Sequence, residues 1–213
     1  QPLNSDIVNK AFDAIFSVKN ETKKEELYTK SVEYVTGLAS NDPKLYKMIA
    51  DDFGILPKSS RFQFLNKFFE KNPNEFDSGL TETFINRIDD VPSEQYGIIF
   101  KKAVDFVLKK PNDELLVRFW NTLIVNMNKL TDDTVNTTSE KLIDAVISAK
   151  NEQIIDDIVN HSISVLKFPI DKKLQILDKI TDYYLKNTNN DGLFSILANM
   201  YTMLKYKTEK HYN

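Results

Sequence analysis

The stretch KKPNDELLVRFWNTLIVNMNKLTDDT, residues 109–134, decides the fold class. Leu115, Leu116, Phe119, Trp120, Leu123, Ile124 and Met127 recur at spacings of one, three and four, which is the apolar face of a helix and excludes a strand. Pro111 closes whatever helix precedes it. Asn112 is placed as an N-cap whose side chain accepts from an orphan amide, and Asp113 and Glu114 complement the helix dipole in the first turn. Thr131-Asp132-Asp133 then opens a further helix in the same way.

Working outward, the same punctuation recurs at Asn151, Asp171 and Asp191, each ahead of a run of apolar residues at helical spacing. The cap positions 112, 131, 151, 171 and 191 are separated by 19, 20, 20 and 20 residues. Upstream, helices are predicted to open near Ser5, Thr22, Asp42, Ser60, Ser78 and Ser93, with Thr22-Lys-Lys-Glu25 at capping-box spacing and Asp42-Pro43 as a cap followed by proline. About eleven helices result. Taking every second one gives openings at 22, 60, 93, 131 and 171, so the repeating unit is a helical hairpin of 33 to 40 residues.

The segments 56–75, 91–114 and 168–191 share a scheme: an apolar residue and proline, then a helix, then a Lys/Asn-rich break. On this period and pattern the chain resembles the α-solenoid superfamily, most closely HEAT repeats, over nearly all of residues 5–207. The tetratricopeptide and ankyrin signatures are missing. FWNTLIVNMNK (119–129) is similar to the N-T-L-I core of pentatricopeptide repeats, but it occurs once. The resemblance implies an all-α, right-handed solenoid of about five hairpins plus one helix, as a single domain spanning 1–213 with a tail at 208–213. A compact helical bundle is the alternative. The expected core includes Leu116, Phe119, Trp120, Leu123, Ile155, Ile158, Ile163, Leu177 and Ile180.

Charge narrows the functional classes. The chain carries 28 basic and 31 acidic side chains, a net of −3, so no dominant field covers its surface. Only Arg61, Arg87 and Arg118 are arginines, the side chains that grip phosphate bidentately, and this disfavours nucleic acid. The absence of cysteine removes disulfides and thiolate metal sites. No apolar run approaches the length of a membrane helix. The location expected is intracellular and cytoplasmic, or mitochondrial if a targeting peptide was removed ahead of Gln1.

Catalytic constellations are not legible. His161 and His211 have no second histidine or cysteine at ligand spacing, and the pairs Asp51-Asp52, Asp89-Asp90, Asp132-Asp133 and Asp156-Asp157 read chiefly as helix-end residues. The five glycines form no phosphate-binding loop. Three glycosylation sequons, at Asn20, Asn136 and Asn160, are what chance supplies in so Asn-rich a chain. Tyr183, Tyr201 and Tyr206 read as residues at the edge of a core.

These readings point to a non-enzymatic interaction scaffold without cofactors or metals, binding a protein partner on a concave surface. The alternative is an organellar RNA-binding repeat protein. The second helix of each hairpin is expected to line the surface, through Lys47, Glu82, Arg87, Arg118, Asn121, Asn128 and Asp157. Core packing explains most of the aromatic cluster Phe62, Phe64, Phe68, Phe69, Phe76 and Phe84; the alternative at Phe64 is an exposed contact, because Phe62, Leu65, Phe68 and Phe69 fit one buried stripe and Phe64 falls off it.

Overall fold

A computed structural model describes residues 4–37, 42–155 and 169–187, together with Phe194, Leu197, Ala198, Tyr201 and Thr202. Every regular element among them is helical. The chain divides into two compact units, Gln1–Lys110 and Pro111–Asn213. The division falls at Lys110-Pro111, inside the first polar break of the deciding stretch.

The first unit holds α1 (Ser5–Phe16), α2 (Glu21–Gly37), α3 (Pro43–Asp51), α4 (Lys58–Phe68), α5 (Ser78–Ile85) and α6 (Tyr96–Lys109). Local chemistry sets most of the starts. The side chains of Asn4, Asp42 and Asp77 accept from the amides of Ile7, Lys44 and Leu80 at 3.0, 3.0 and 2.7 Å. α2 corrects the expected capping box, since Asn20 accepts from the Lys23 amide at 3.0 Å and Thr22 lies within the first turn. α4 begins after Pro57 and carries Ser60 inside it, whereas α5 opens at Ser78 as expected, capped by Asp77.

Packing in this unit follows two rows. α2 packs on α4 and α4 on α6, while α1 packs on α3 and α3 on α5; α1 also packs on α2. Between the rows lies an aromatic centre. The Phe68 ring lies 4.5 Å from that of Phe84, 5.0 Å from Phe76 and 5.1 Å from Phe106.

Phe64 belongs to this centre and not to the surface: it is 0% exposed, with Phe84, Tyr46 and Phe53 at 5.2, 5.8 and 6.2 Å. The expected stripe was rotated. Ser60, Phe64 and Phe68 share the buried face with Leu65, whereas Phe62 is only half-buried. A polar residue in the stripe hid its register. The Ser60 hydroxyl is accommodated there by a 3.3 Å hydrogen bond shared with the Thr29 hydroxyl of α2.

The second unit contains α7 (Asp113–Asn126), α8 (Asp132–Ala149), helical residues 152–155 and α9 (Ile170–Asn187). Asn112, Thr131 and Asn151 cap as their sequence positions predict, accepting from the amides of Leu115 (2.9 Å), Thr134 (3.2 Å) and Ile154 (3.2 Å). Asp171 instead lies in the first turn of α9. Lys150 ends α8 in the left-handed region at φ 56°. α8 packs on both α7 and α9. Leu116, Phe119, Trp120, Leu123, Ile155, Leu177 and Ile180 are buried as expected, whereas Ile158 and Ile163 lie outside the described residues.

Polar side chains link neighbouring elements at a recurring distance along the chain. Thr29 meets Ser60 (31 residues apart), Arg61 meets the Asp90 carbonyl (29), Lys102 meets Glu70 (32), Asn151 meets Asp113 (38), Lys172 meets Glu140 (32) and Lys179 meets Asp144 (35). Each link lies within one unit.

Candidate functional site

α7 offers the clearest exposed face among the sequence-predicted positions. Its apolar residues Leu115, Leu116, Phe119, Trp120 and Leu123 are buried. This turns Arg118, Asn121 and Val125, at spacings of three and four, toward solvent. Asn128 continues the exposed stripe in the 3-10 turn Met127–Lys129. Val125 is 76% exposed, an isolated apolar side chain among groups that donate and accept hydrogen bonds.

The remaining predicted residues do not gather around this stripe. Lys47 on α3 is exposed and paired with Asp51 at 3.1 Å, while Arg87, just after α5, is paired with Asp90 at 3.0 Å. Both are short-range pairs of a kind that contributes little and exchanges readily. Glu82 is half-buried on α5, and Phe64 is in the core. Asp157 lies outside the described residues, as do His161, His211 and Tyr206.

Arg61 has a structural task that the sequence did not disclose. Its guanidinium donates to the carbonyls of Gly54 (2.6 Å), Leu56 (2.8 Å) and Asp90 (3.4 Å), tying the loop before α4 to the turn before α6. One of only three arginines is thereby committed to backbone oxygens.

The second unit also has a cleft of about 470 Å³ between α8 and α9, lined by Asp144, Lys150, Lys179, Asp182, Tyr183 and Lys186 among others. Lys179 bonds Asp144 across it at 2.9 Å. Burial pushes the Tyr183 phenol above its ordinary pKa, and the nearby Glu152 carboxylate acts in the same direction. Sequence reading missed this cleft because its two walls are 35 residues apart at the Asp144–Lys179 link. Tyr201, half-buried, donates its hydroxyl to Asp178, and burial followed by that hydrogen bond raises its pKa.

No group of three or more His, Asp or Glu side chains among the described residues is arranged to hold a metal ion. Nor is any described helix long and apolar enough to cross a membrane. In comparisons with known proteins, the chain matches no family model, no curated protein and no solved structure.

Proposed function

We propose that the chain is a helical-repeat array of α-solenoid type and serves as a non-catalytic scaffold that binds a partner peptide or helix. The array reading is supported by polar links recurring at 29 to 38 residues and by the two rows of the first unit, α2–α4–α6 and α1–α3–α5. The observation that carries the binding reading is the α7 stripe. Arg118, Asn121 and Asn128 present fork-like or amide groups beside the exposed Val125, a mixture suited to a polypeptide more than to a phosphate backbone.

The test is a pulldown from the source cell with the full chain as bait, repeated with Arg118→Ala/Asn121→Ala. The wild type retains a protein partner that the double variant loses, while the melting temperature stays within about 2–4 °C. Equal capture by both baits refutes the α7 stripe. A salt-dependent mobility shift with single-stranded RNA at physiological ionic strength refutes a protein partner as the main ligand.

A further inference from the structure

The core-facing stripe of α2 is Tyr28, Val32 and Val35. Residues one position before and one after Tyr28 project to opposite sides of that stripe, about 100° away in each direction. On the later side, Thr29 meets Ser60 of α4. On the earlier side lies Leu27, 41% exposed, and one heptad on lies Tyr34, 62% exposed. Phe16, at the end of α1, is 61% exposed and has the Lys24 ammonium 5.5 Å from its ring centre. The flank of α2 turned away from α4 is therefore an apolar strip.

Charge on this flank is one-sided. Lys23, Lys24 and Lys30 lie at helical spacings of three and four around Leu27 and Tyr34, and no carboxylate shares their arc. Glu26 and Glu33 sit farther round the helix, toward its outer side. Lys24 and Lys30 make pairs with Glu21 and Glu26, each at 3.0 Å. The Lys30–Glu26 pair is exposed on both sides and exchanges at little cost, whereas Lys24 is half-buried over the Phe16 ring. In a chain of net charge −3, the exposed Lys23 and Lys30 and three large apolar side chains thus share one face.

We infer that this flank of α2 docks an amphipathic helix whose apolar stripe is bordered by carboxylates. Leu27, Tyr34 and Phe16 supply the apolar contact, and Lys23 and Lys30 select the sign of the border. A second copy of the chain is the poorer occupant. Antiparallel pairing of two α2 helices sets Leu27 against Tyr34, but it brings the lysine border of one copy against that of the other, and like charges across an interface repel. The surface belongs to the first unit and the α7 stripe to the second, so the inference goes beyond the scaffold reading and stands or falls apart from it.

A labelled designed peptide tests it by fluorescence anisotropy on the full chain: a helix with leucines at spacings of three and four bordered by glutamates, and a control with lysines in place of those glutamates. The glutamate peptide binds and the lysine peptide does not. Leu27→Ala/Tyr34→Ala weakens binding about tenfold or more. Lys23→Glu/Lys30→Glu inverts the preference between the peptides, and Arg118→Ala/Asn121→Ala leaves affinity unchanged. Equal binding of both peptides, or affinity indifferent to the α2 substitutions, overturns the proposal. A sedimenting dimer that Tyr34→Ala dissolves overturns it in favour of a second copy.

Discussion

Replacing Phe64 and Phe62 by alanine, one at a time, sets the observed register of α4 against the one that apolar spacing suggests. Phe64 has no exposed surface and has four aromatic rings within 6.4 Å, those of Tyr46, Phe53, Phe68 and Phe84. Removing a buried phenylalanine costs about 3–5 kcal/mol through lost transfer energy and an unfilled cavity. The ring contacts place this site toward the upper end. Phe62 is half-buried, and no ring contact is described for it, so its loss costs about 1 kcal/mol, the centre of the range for point substitutions. In urea titrations followed by far-UV circular dichroism, with a slope of about 2 kcal/mol/M, Phe64→Ala lowers the midpoint by about 2 M and Phe62→Ala by about 0.5 M. An equal or reversed pair of shifts refutes the register.

Three further outcomes are expected. Thr138 is fully buried on α8, and its hydroxyl has no partner among the described residues, so Thr138→Val leaves stability unchanged or raises it by about 1 kcal/mol; a clear loss in thermal melts refutes this. Lys150 adopts φ 56°, so Lys150→Gly relieves the left-handed strain and stabilises by about 0.5–1 kcal/mol, measured by the same denaturation. Glu70 accepts from Lys102, and this bond, assisted by Lys67, holds its carboxyl below the ordinary value. A carboxylate whose folded pKa is lowered contributes stability that is present above its unfolded pKa and lost as pH falls through the folded one. Carbon-detected NMR should find Glu70 titrating below 4.5, and Glu70→Gln should flatten the acid side of the stability profile; titration at or above 4.5 refutes the link.

What was legible in the sequence was chiefly what is decided within one turn of helix. Asn112, Thr131, Asn151 and Asp42 cap their helices because a side-chain oxygen meets an amide two or three residues on, and that chemistry needs no distant partner. At α2 the capping-box spacing of Thr22 and Glu25 picked the wrong residue, since Asn20 takes the Lys23 amide and Thr22 lies inside the helix. Phe64 was misread because the face it shares includes Ser60, whose burial depends on Thr29 of another helix. The cleft between α8 and α9 and the carbonyl clamp of Arg61 join residues 29 or more positions apart, beyond the reach of local spacing. Of the positions expected to meet a partner, Arg118, Asn121 and Asn128 fall on an exposed face because the apolar pattern around them is complete. Lys47 is exposed and Arg87 half-buried, and each belongs to an ion pair that the sequence reading did not anticipate.

The two rows of the first unit bear on how the chain reaches this state. Each helix finds its row neighbour two elements away, so the native contacts of a row are closed by loops of one hairpin's length. Loop-closure entropy grows only slowly with length, but short closures come first and set the pace of folding. During synthesis, α4 can seat on α2 soon after it emerges, and α6 on α4 after that, without waiting for the distal end of the polypeptide. The aromatic centre around Phe68 then closes in stages, with Tyr46 and Phe64 available before Phe84 and Phe106 exist.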